Sequence, residues 1–329
     1  MALAQIVQDA AVRGVGALLS WPAKHAKFTT LLYHRVFREP DPLLAGEVDV
    51  PTFEWQMEVL KRHFNILPLP EAAARLVSDS LPPRAVCLTF DDGYADNYEL
   101  VLPILKKKGI PATFFISVGF LDGGRMWNDT VIESVRRARD ENLDLRGIGL
   151  GSYRLVTLQD RAVAVKEIIG RFKYLPLDER TRYVETLAEV VGEDLPTDLM
   201  MSSEQIRRLH AEGMDIGAHT VNHPILSRLP PGQAEKEIFE SRDLLREITG
   251  GKITSFAYPN GQPGIDYDRS HVELVMRCGF SVATSSTWGC TRQATDLLQV
   301  PRIGVWGSTP LRYSSRILQA YMSRRPKTV

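Results

Sequence analysis

The sequence predicts an α/β protein, a deformed (β/α) barrel of about seven strands with a mainly helical insertion. Strand-like and helix-like segments alternate along most of the chain, and this alternation implies a mainly parallel sheet. About seven β-then-α units fit a closed or nearly closed barrel better than an open sheet. The charged, mostly helical residues 128–200 interrupt the rhythm, so we expect them to form an insertion that covers one end of the barrel.

The first half of the predicted barrel consists of apolar strands and amphipathic helices. PTFEWQMEVLKRH places Phe53, Met57 and Leu60 on one face, which is typical of a helix that packs on a sheet. RAVCLTF is an apolar run suited to a strand buried on both faces. DNYELVLPILKKKG ends in lysines and Gly109, which indicate a helix end. The other strands predicted here are FTTLLYH, FNILPL and PATFFISV.

The second half repeats the pattern after the insertion. SSEQIRRLHAEG begins with a capping box from Ser202 to Gln205 and ends at Gly213, so it predicts a helix that leads into the strand MDIGAH. GQAEKEIFESRDLLREITGG and RSHVELVMRCG are predicted helices. The strands predicted around them are ITSFAYP, FSVATSS and, last in the chain, LLQVPRIGV.

Charge and cysteine content restrict the functional class. The chain has 329 residues, with 40 basic and 40 acidic side chains that cancel, so we expect no nucleic-acid partner. Cys87, Cys278 and Cys290 are odd in number and far apart, which provides neither a disulfide framework nor a Cys-x-x-Cys metal pair. A reducing compartment is the simplest interpretation.

The two ends of the chain are basic or amphipathic. Residues 1–27 are predicted to form an N-terminal amphipathic helix before the barrel of residues 28–329. Asp9 and Arg13 interrupt the apolar start, so we expect no signal peptide and a cytoplasmic protein. This helix, over residues 3–21, and the C-terminal LRYSSRILQAYMSRRPKTV either pack on the domain or touch the inner membrane face peripherally. The sequence does not predict an oligomeric state.

Polar side chains lie at the ends of the predicted strands, which is where functional residues are found in such folds. They occur in the segments YHRV, LTFDDG, IGAHTVNHP, FAYPNG and VPRIGV. The candidate site residues in these segments are His34, Asp91, Asp92, His219, His223, Asn260 and Arg302.

The acidic and histidine pairs are informative mainly in combination. An Asp-Asp-Gly turn alone is more often structural. A His-x-x-x-His pair alone is weak evidence of a metal site, and Pro224 favours a loop over a helix at His223. Together, one carboxylate and two imidazoles form the three-ligand set that catalytic zinc and related divalent metals use, with a position left open for water. The second carboxylate is then a natural general base.

Three motifs in order, TFDDG, HTVNHP and FAYPNG, resemble those of the NodB-homology polysaccharide deacetylases, carbohydrate esterase family 4. GIPATFFI and MSSEQIRRLHAEGMDIGAHT are similar to that family too, and the resemblance runs from about Pro83 to about Val305. It implies a deformed (β/α) barrel and metal-dependent removal of N-acetyl groups from a polysaccharide. It further implies that Asp91 is the general base and that a divalent metal, usually zinc, is held by Asp92, His219 and His223.

The third motif departs from the family pattern. Pro259-Asn260-Gly261 ends it, and Ala257 stands where the family has an arginine that orients the base. The backbone N–H of Asn260 can still serve as an oxyanion donor, since that role needs no particular side chain. Arg302 is a candidate replacement for the missing arginine, and a structural salt bridge is the alternative.

A general-acid histidine is missing from its usual place near the C-terminus. The last histidine is His271, which lies in a predicted helix and is expected to be solvated. One branch of the family, which acts on exopolysaccharides and poly-N-acetylglucosamine, has this motif permuted to the N-terminus as a Tyr-His at a first strand. LLYHRV resembles that arrangement, so we expect His34 to protonate the leaving amine. The alternative is a histidine satisfied within the core.

The resulting prediction is a metal-dependent hydrolase that removes N-acetyl groups from an N-acetylhexosamine polysaccharide, in exopolysaccharide biosynthesis. One alternative is a deacetylase or deformylase of a lipid-linked sugar at the cytoplasmic membrane face. Another is a carbohydrate-binding relic without turnover. In the segment RMWND, Trp127 either stacks on a sugar ring or packs under the insertion.

Overall fold

The computed structural model describes residues 12–16, 18, 26–304, 307, 309–323 and 325–329. Most of the predicted helix over residues 3–21 lies outside the described residues. The described turn at residues 12–16 is helical. Val12 is buried there, and the Arg13 guanidinium donates hydrogen bonds of 2.7 and 3.0 Å to the Arg62 carbonyl. This turn is therefore attached to the domain.

The elements alternate much as the sequence predicts. Within the described residues, the strands are β1 (Lys27–Tyr33), β2 (Val36–Phe37), β3 (Val48–Asp49), β4 (Asn65–Ile66), β5 (Ala85–Phe90), β6 (Thr113–Ile116), β7 (Asn142–Asp144), β8 (Ser152–Arg154), β9 (Asp215–Ala218), β10 (Ser255–Ala257), β11 (Val282–Thr284), β12 (Thr291–Arg292) and β13 (Arg302–Gly304). The helices are α1 (Val50–His63), α2 (Leu69–Val77), α3 (Leu102–Lys108), α4 (Trp127–Arg137), α5 (Leu158–Phe172), α6 (Leu177–Val191), α7 (Ser203–Ala211), α8 (Pro231–Thr249), α9 (Arg269–Arg277) and α10 (Pro310–Met322).

The main sheet is parallel except for β12, which pairs antiparallel with β1, and it curls toward closure. Its strands follow the order β11, β10, β9, β6, β5, β1, and β13 pairs in parallel with the other side of β1. Val300, just before β13, forms a parallel bridge to Thr284 of β11. The last strand segment therefore lies between β1 and β11, and the sheet returns on itself. This confirms the predicted deformed (β/α) barrel.

Aromatic packing fixes the strands behind the site. β5 is buried along its whole length. The ring of Phe90 stacks on Phe114, with centroids 4.8 Å apart, and on Tyr33, with centroids 5.2 Å apart. The Tyr33 hydroxyl also donates to Gln56 at 2.8 Å. The residues at the ends of β1 and β5 are thereby held in place immediately before His34 and Asp91.

Residues 127–191 carry a second apolar core. Helices α4, α5 and α6 and the antiparallel hairpin β7–β8 surround it. Val131, Ile168, Phe172 and Leu187 are fully buried within it. This cluster is separate from the barrel core, so the segment is a packed unit of its own rather than a long loop.

The helices begin and end through ordinary local chemistry. Ser202 and Gln205 form the predicted capping box, since each side chain bonds the other's backbone. Gly109 ends α3 in the left-handed conformation. Among the described residues, no helix combines the length and apolar character that a membrane span requires.

Candidate active site

One cavity of about 370 Å³ opens at the carboxyl ends of the barrel strands. It brings together residues that are far apart in the sequence. All seven candidate residues line it, namely His34, Asp91, Asp92, His219, His223, Asn260 and Arg302.

The backbone after β5 gives the two carboxylates different directions. The N–H of Asp91 donates to the Tyr33 carbonyl at 3.0 Å, which continues the pairing of β5 with β1. Asp92 has a φ of +79° and Gly93 a φ of +94°, so the chain turns sharply within two residues. A non-glycine residue at such a φ is uncommon in proteins as a whole, and such residues cluster at functional sites. Asp91 therefore faces Arg302, whereas Asp92 faces the histidines.

Arg302 holds Asp91 through two parallel hydrogen bonds. Its guanidinium donates to Asp91 Oδ1 at 2.6 Å and to Oδ2 at 2.8 Å, and its Nε donates to the Ser285 carbonyl at 3.1 Å. Both side chains are buried. Burial alone would raise the pKa of Asp91, but Arg302 and then His219 outweigh it and lower the pKa to about 2. Asp91 is therefore an ionised, fixed carboxylate at neutral pH.

Asp92, His219 and His223 form a compact donor set. Asp92 Oδ1 lies 3.6 Å from His219 Nε2 and 3.5 Å from His223 Nε2, and the three donor atoms lie within 4.8 Å of one another. Ligands placed about 2.1 Å from a tetrahedral ion are about 3.4 Å apart. These distances are too long for hydrogen bonds and suit ligands of one small divalent cation. The residues present therefore fit the metal that the sequence predicts.

The two imidazoles are prepared as neutral ligands. His219 Nδ1 lies 2.8 Å from the Ala257 carbonyl, which leaves Nε2 free to coordinate when Nδ1 carries the proton. Burial lowers the pKa of His219 to about 4 and lowers that of His223 well below its usual value. Conversely, burial raises the pKa of Asp92 to about 7, because no neighbouring cation compensates it sufficiently.

Glu237 of α8 supports the loop at residues 219–223, which carries both metal-site histidines, a role that no sequence signal indicates. Its Oε2 accepts hydrogen bonds of 2.8 Å from the N–H groups of Val221 and Asn222, and its Oε1 accepts one of 2.8 Å from Asn222 Nδ2. The loop reaches His223 with a φ of +49°, where the His223 N–H donates to Thr220 Oγ1 at 3.1 Å. In the sequence, a glutamate on a predicted helix has no evident function, because only the fold brings it beneath this loop.

His34 lines the same cavity as the metal-site histidines. The side-chain amide of Asn97 donates to its carbonyl at 2.9 Å. Burial by itself would lower the pKa of His34, but the carboxylates of Asp92, Glu47 and Asp91 raise it overall, against the opposing charge of Arg302. A protonated imidazole is therefore favoured here, as a general acid requires.

Glu47 at this site and His271 on α9 differ from or add to the sequence expectations. Glu47 was not predicted, and its carboxylate accepts from the Arg35 N–H at 3.1 Å while lining the cavity beside His34. The expectation that His271 is solvated was wrong. It is buried, with Nδ1 2.8 Å from Asp268 and Nε2 3.1 Å from the Leu226 carbonyl, because it caps the start of α9.

Asn260 lies at a tight turn after β10. Its φ is +59°, and its backbone N–H has no hydrogen-bond partner among the described residues. A Cβ at the next residue, Gly261, would come within 2.9 Å of the Ser286 N atom, so only glycine fits this turn. The turn therefore leaves a backbone donor available at the cavity.

Helices α4 and α5 supply one wall of the cavity. Trp127, Asn128 and Asp129 line it from the first turn of α4, and Lys173 lines it from the end of α5. The guanidinium of Arg180 lies 4.9 Å from the Trp127 ring centroid. Trp127 thus packs within the segment and also borders the cavity.

A deformed (β/α) barrel with these acidic and histidine pairs at its strand ends defines a class of hydrolases that cleave acyl groups from carbohydrates. The model of the polysaccharide deacetylase family matches residues 78–146 and 181–283, more than half of the chain. The chain belongs to this family and is a hydrolase of the deacetylase class.

Known proteins share this similarity over most of the chain. YxkH of Bacillus subtilis, whose name assigns it to the polysaccharide deacetylases, is 21% identical over 286 residues, which cover 86% of this chain and 72% of YxkH. The Streptococcus pyogenes deacetylase PplD, solved with acetate, superposes with a TM-score of 0.60 at 20% identity and covers 90% of this chain and 98% of its own. IcaB from Ammonifex degensii gives a TM-score of 0.57 at 21% identity and covers 89% and 97%, respectively. At these identities the structures establish the shared fold.

Proposed function

We propose that the protein is a metal-dependent deacetylase that removes N-acetyl groups from an N-acetylhexosamine polysaccharide. The observation that carries the proposal is the donor set of Asp92, His219 and His223 beside an ionised Asp91 in one cavity. Burying the charges of Asp91 and Arg302 costs desolvation free energy. A carbohydrate-binding relic without turnover would have no need of such a fixed base.

Zinc is the metal that the donor set suits best. Two imidazoles and one carboxylate with an open fourth position are typical of catalytic zinc. When bound, such an ion supplies Lewis-acid chemistry and lowers the pKa of water toward neutrality. The neutral state of both histidines favours metal binding at neutral pH, since no proton has to leave them first.

Asp91 serves as the general base in this proposal. It is ionised at any pH well above 2, and Arg302 fixes its plane through two hydrogen bonds. Arg302 thereby takes the part of the arginine that Ala257 replaces in the third motif. A fixed carboxylate next to the metal ligand Asp92 can accept a proton from the attacking water with little reorganisation.

His34 and the backbone of Asn260 complete the reaction. The tetrahedral oxyanion receives a hydrogen bond from the Asn260 N–H, a donor already held in place by its turn. His34, whose pKa nearby carboxylates raise, donates a proton to the departing sugar amine. The products are acetate and a glucosamine-type unit.

We further propose that the substrate is an exopolysaccharide. The support is the Tyr33-His34 pair at the first strand, which resembles the branch of the family with a permuted histidine motif. His34 lines the same cavity as Asp91 and the donor set, as that role requires.

A cytoplasmic location, with peripheral membrane contact through the two ends, is also part of the proposal. Cys87, Cys278 and Cys290 are free and buried, as is usual for thiols in a reducing compartment. Cell fractionation of the full chain and of a chain without residues 1–27 tests the location and the contact. Recovery of both in the soluble cytoplasmic fraction would contradict the membrane contact.

Acetate release from N-acetylglucosamine oligomers tests the function. We expect release by the zinc-loaded protein, loss of release with a chelator, and a fall in kcat on the order of 10²–10⁴-fold for Asp91→Asn with its metal retained. Binding of one metal ion without acetate release would point to another acylated substrate, such as a lipid-linked sugar. Neither metal nor release would favour a carbohydrate-binding relic.

A further inference from the structure

The first turn of α4 presents two polar side chains to the catalytic cavity that the proposed reaction does not use. Asn128 and Asp129 line the cavity together with His34 and Asp92. Asp129 is only 2% exposed. Both residues belong to the helical segment 127–191 and to none of the three motifs that carry the chemistry.

These side chains contain hydrogen-bond acceptors without donors. Asp129 Oδ2 and Asn128 Oδ1 are buried and have no hydrogen-bond partner among the described residues. Buried polar groups in native proteins are nearly always paired, so two unpaired acceptors on adjacent residues require an explanation. Burial raises the pKa of Asp129 to about 6, against the charge of Arg35 and a hydrogen bond with Tyr94 that act to lower it, while Oδ2 itself remains unpaired.

The neighbouring charged groups are already engaged elsewhere. Arg35 donates to Asp96 at 2.9 Å, and its guanidinium lies 4.7 Å from the Phe37 ring centroid and 4.5 Å from that of Tyr94. One turn further along α4, Glu133 is ion-paired to two arginines and so needs no additional partner. On α4, the buried side-chain oxygens without a partner among the described residues belong to Asn128, Asp129 and Ser134, and of these only Asn128 and Asp129 line the cavity.

The chemistry of these acceptors indicates their ligand. Two acceptors require donors, and sugar hydroxyl groups are the donors that a carbohydrate would bring next to the catalytic set. Asp129 is not a member of the metal-binding cluster found among the described residues. A cavity of about 370 Å³ lies near the small end of the range of ligand sites, which suits a short segment of sugar chain.

We propose that Asp129, with Asn128, accepts hydrogen bonds from ring hydroxyls of the sugar that carries the acetamide. This inference rests on the proposed function. It makes the first turn of α4 a specificity determinant, because an acyl compound without ring hydroxyls would leave these buried acceptors unpaired.

The test compares two substrates with the zinc-loaded protein. N-acetylglucosamine oligomers carry ring hydroxyls, whereas an aryl acetate ester carries the acetyl group alone. For Asp129→Asn, we expect the ratio of kcat/KM on oligomers to kcat/KM on the ester to fall about 10- to 100-fold, mainly through KM, with one metal ion per chain retained. Asn128→Ser should lower the same ratio about threefold to tenfold, which keeps the test open if Asp129→Asn folds poorly.

Glu133→Gln is the matched control, since it removes a buried carboxylate from the same helix that is already paired. It should leave the ratio unchanged. Equal losses on both substrates in Asp129→Asn would indicate a structural role and overturn the proposal, as would an unchanged ratio.

The proposed function and this inference fail in different ways. If the protein cleaves the ester but releases no acetate from the oligomers, the proposed function is wrong, and the oligomers then serve as inhibitors of ester hydrolysis. An inhibition constant that rises about tenfold or more in Asp129→Asn would still support sugar recognition. If the oligomers inhibit neither the wild type nor Asp129→Asn, the proposed sugar recognition is overturned.

Discussion

At the residue scale, the pair formed by Arg302 and Asp91 shows what single-residue patterns cannot decide. The two residues are separated by 211 positions in the sequence, and the pair is buried. Sequence patterns indicated Asp91 clearly through its motif, whereas Arg302 was equally consistent with a structural salt bridge. Only the placement of β13 beside β1, and of β1 beside β5, brings the guanidinium to the carboxylate.

Replacing Arg302 should change the protonation of the base. In Arg302→Met, burial of Asp91 loses its largest offset, so the pKa of the base rises from about 2 and the acid limb of kcat/KM moves to higher pH. Removal of one partner of a buried pair should also lower the free energy of unfolding by about 3–5 kcal/mol. Arg302→Lys should retain part of both properties. Profiles of pH against kcat/KM and urea unfolding measure the two effects.

The exposed Arg246→Lys on α8 is the control for this change. It should leave both the pH profile and stability as in the wild type, because its nearest carboxylate lies 3.7 Å away at the surface. An acid limb that stays in place in Arg302→Met would show that Arg302 does not act through Asp91.

If His34 is the general acid, the pH profile of kcat/KM has an alkaline limb, and a neighbouring carboxylate sets the pH at which it occurs. Glu47 helps to raise the pKa of His34, so Glu47→Gln should lower that pKa and move the alkaline limb of kcat/KM to lower pH. His34→Gln should remove the limb and lower kcat by about 10²–10⁴-fold. The pH profile of acetate release for the three proteins measures this. A wild-type pH profile of acetate release in His34→Gln would contradict the assignment of His34 as the general acid.

At the element scale, apolar runs and helix stop signals predict most strands and helices, because those signals are local. β5, α1, α7 and α9 occur where the pattern places them. Strand ends were less predictable. ITSFAYP predicts a strand over the whole segment, but only Ser255–Ala257 pairs, because the chain turns at Asn260 to enter the site. Register and turns that serve the site override the local pattern there.

The packing of β9 positions the metal ligand His219, which follows directly after this strand. A Cβ on Gly217 would lie 2.5 Å from the Phe115 ring and 2.9 Å from the Ser255 carbonyl oxygen. Gly217→Ala should therefore destabilise the fold by about 1–3 kcal/mol and weaken metal binding through His219, two residues later. Thermal unfolding with and without zinc measures both effects.

Gly170→Ala on α5 is the matched control for that change. A Cβ at Gly170 meets nothing within 4 Å, and alanine is the better helix former by about 1 kcal/mol. The control should be neutral or slightly stabilising. A Gly217→Ala protein as stable as the control, with unchanged zinc affinity, would contradict the tight packing of β9.

At the scale of the whole molecule, the sequence predicts a barrel and a helical insertion over one end of it, but not which residues of the insertion reach the cavity. Closure depends on backbone hydrogen bonds of Val300 with Ala283 and Ser285 and of Arg302 with Thr287, and such non-local pairing leaves no local signal. Likewise, charged helices in residues 128–200 do not reveal that Asp129 and Lys173 border the cavity. Motif residues were predictable because they stand at strand ends, whereas supporting residues such as Glu237 depend on the assembled fold.

The buried thiols report on the integrity of the whole fold. Cys87 and Cys290 have no exposed surface and Cys278 has 2%, and burial raises the pKa of Cys87 and Cys278. We expect a thiol reagent at pH 8 to label none of the three in the native protein and all of them after unfolding. Rapid labelling of the native protein would contradict the described packing.

The central claim is that Asp92, His219 and His223 hold one metal ion that acetamide hydrolysis requires. The most direct test is a titration of chelator-treated protein with zinc while acetate release from N-acetylglucosamine oligomers is followed. Release should rise linearly and reach its plateau at one zinc per chain, and His219→Ala should show no such plateau. Full release before any zinc is added, or a plateau that is unchanged in His219→Ala, would contradict the claim.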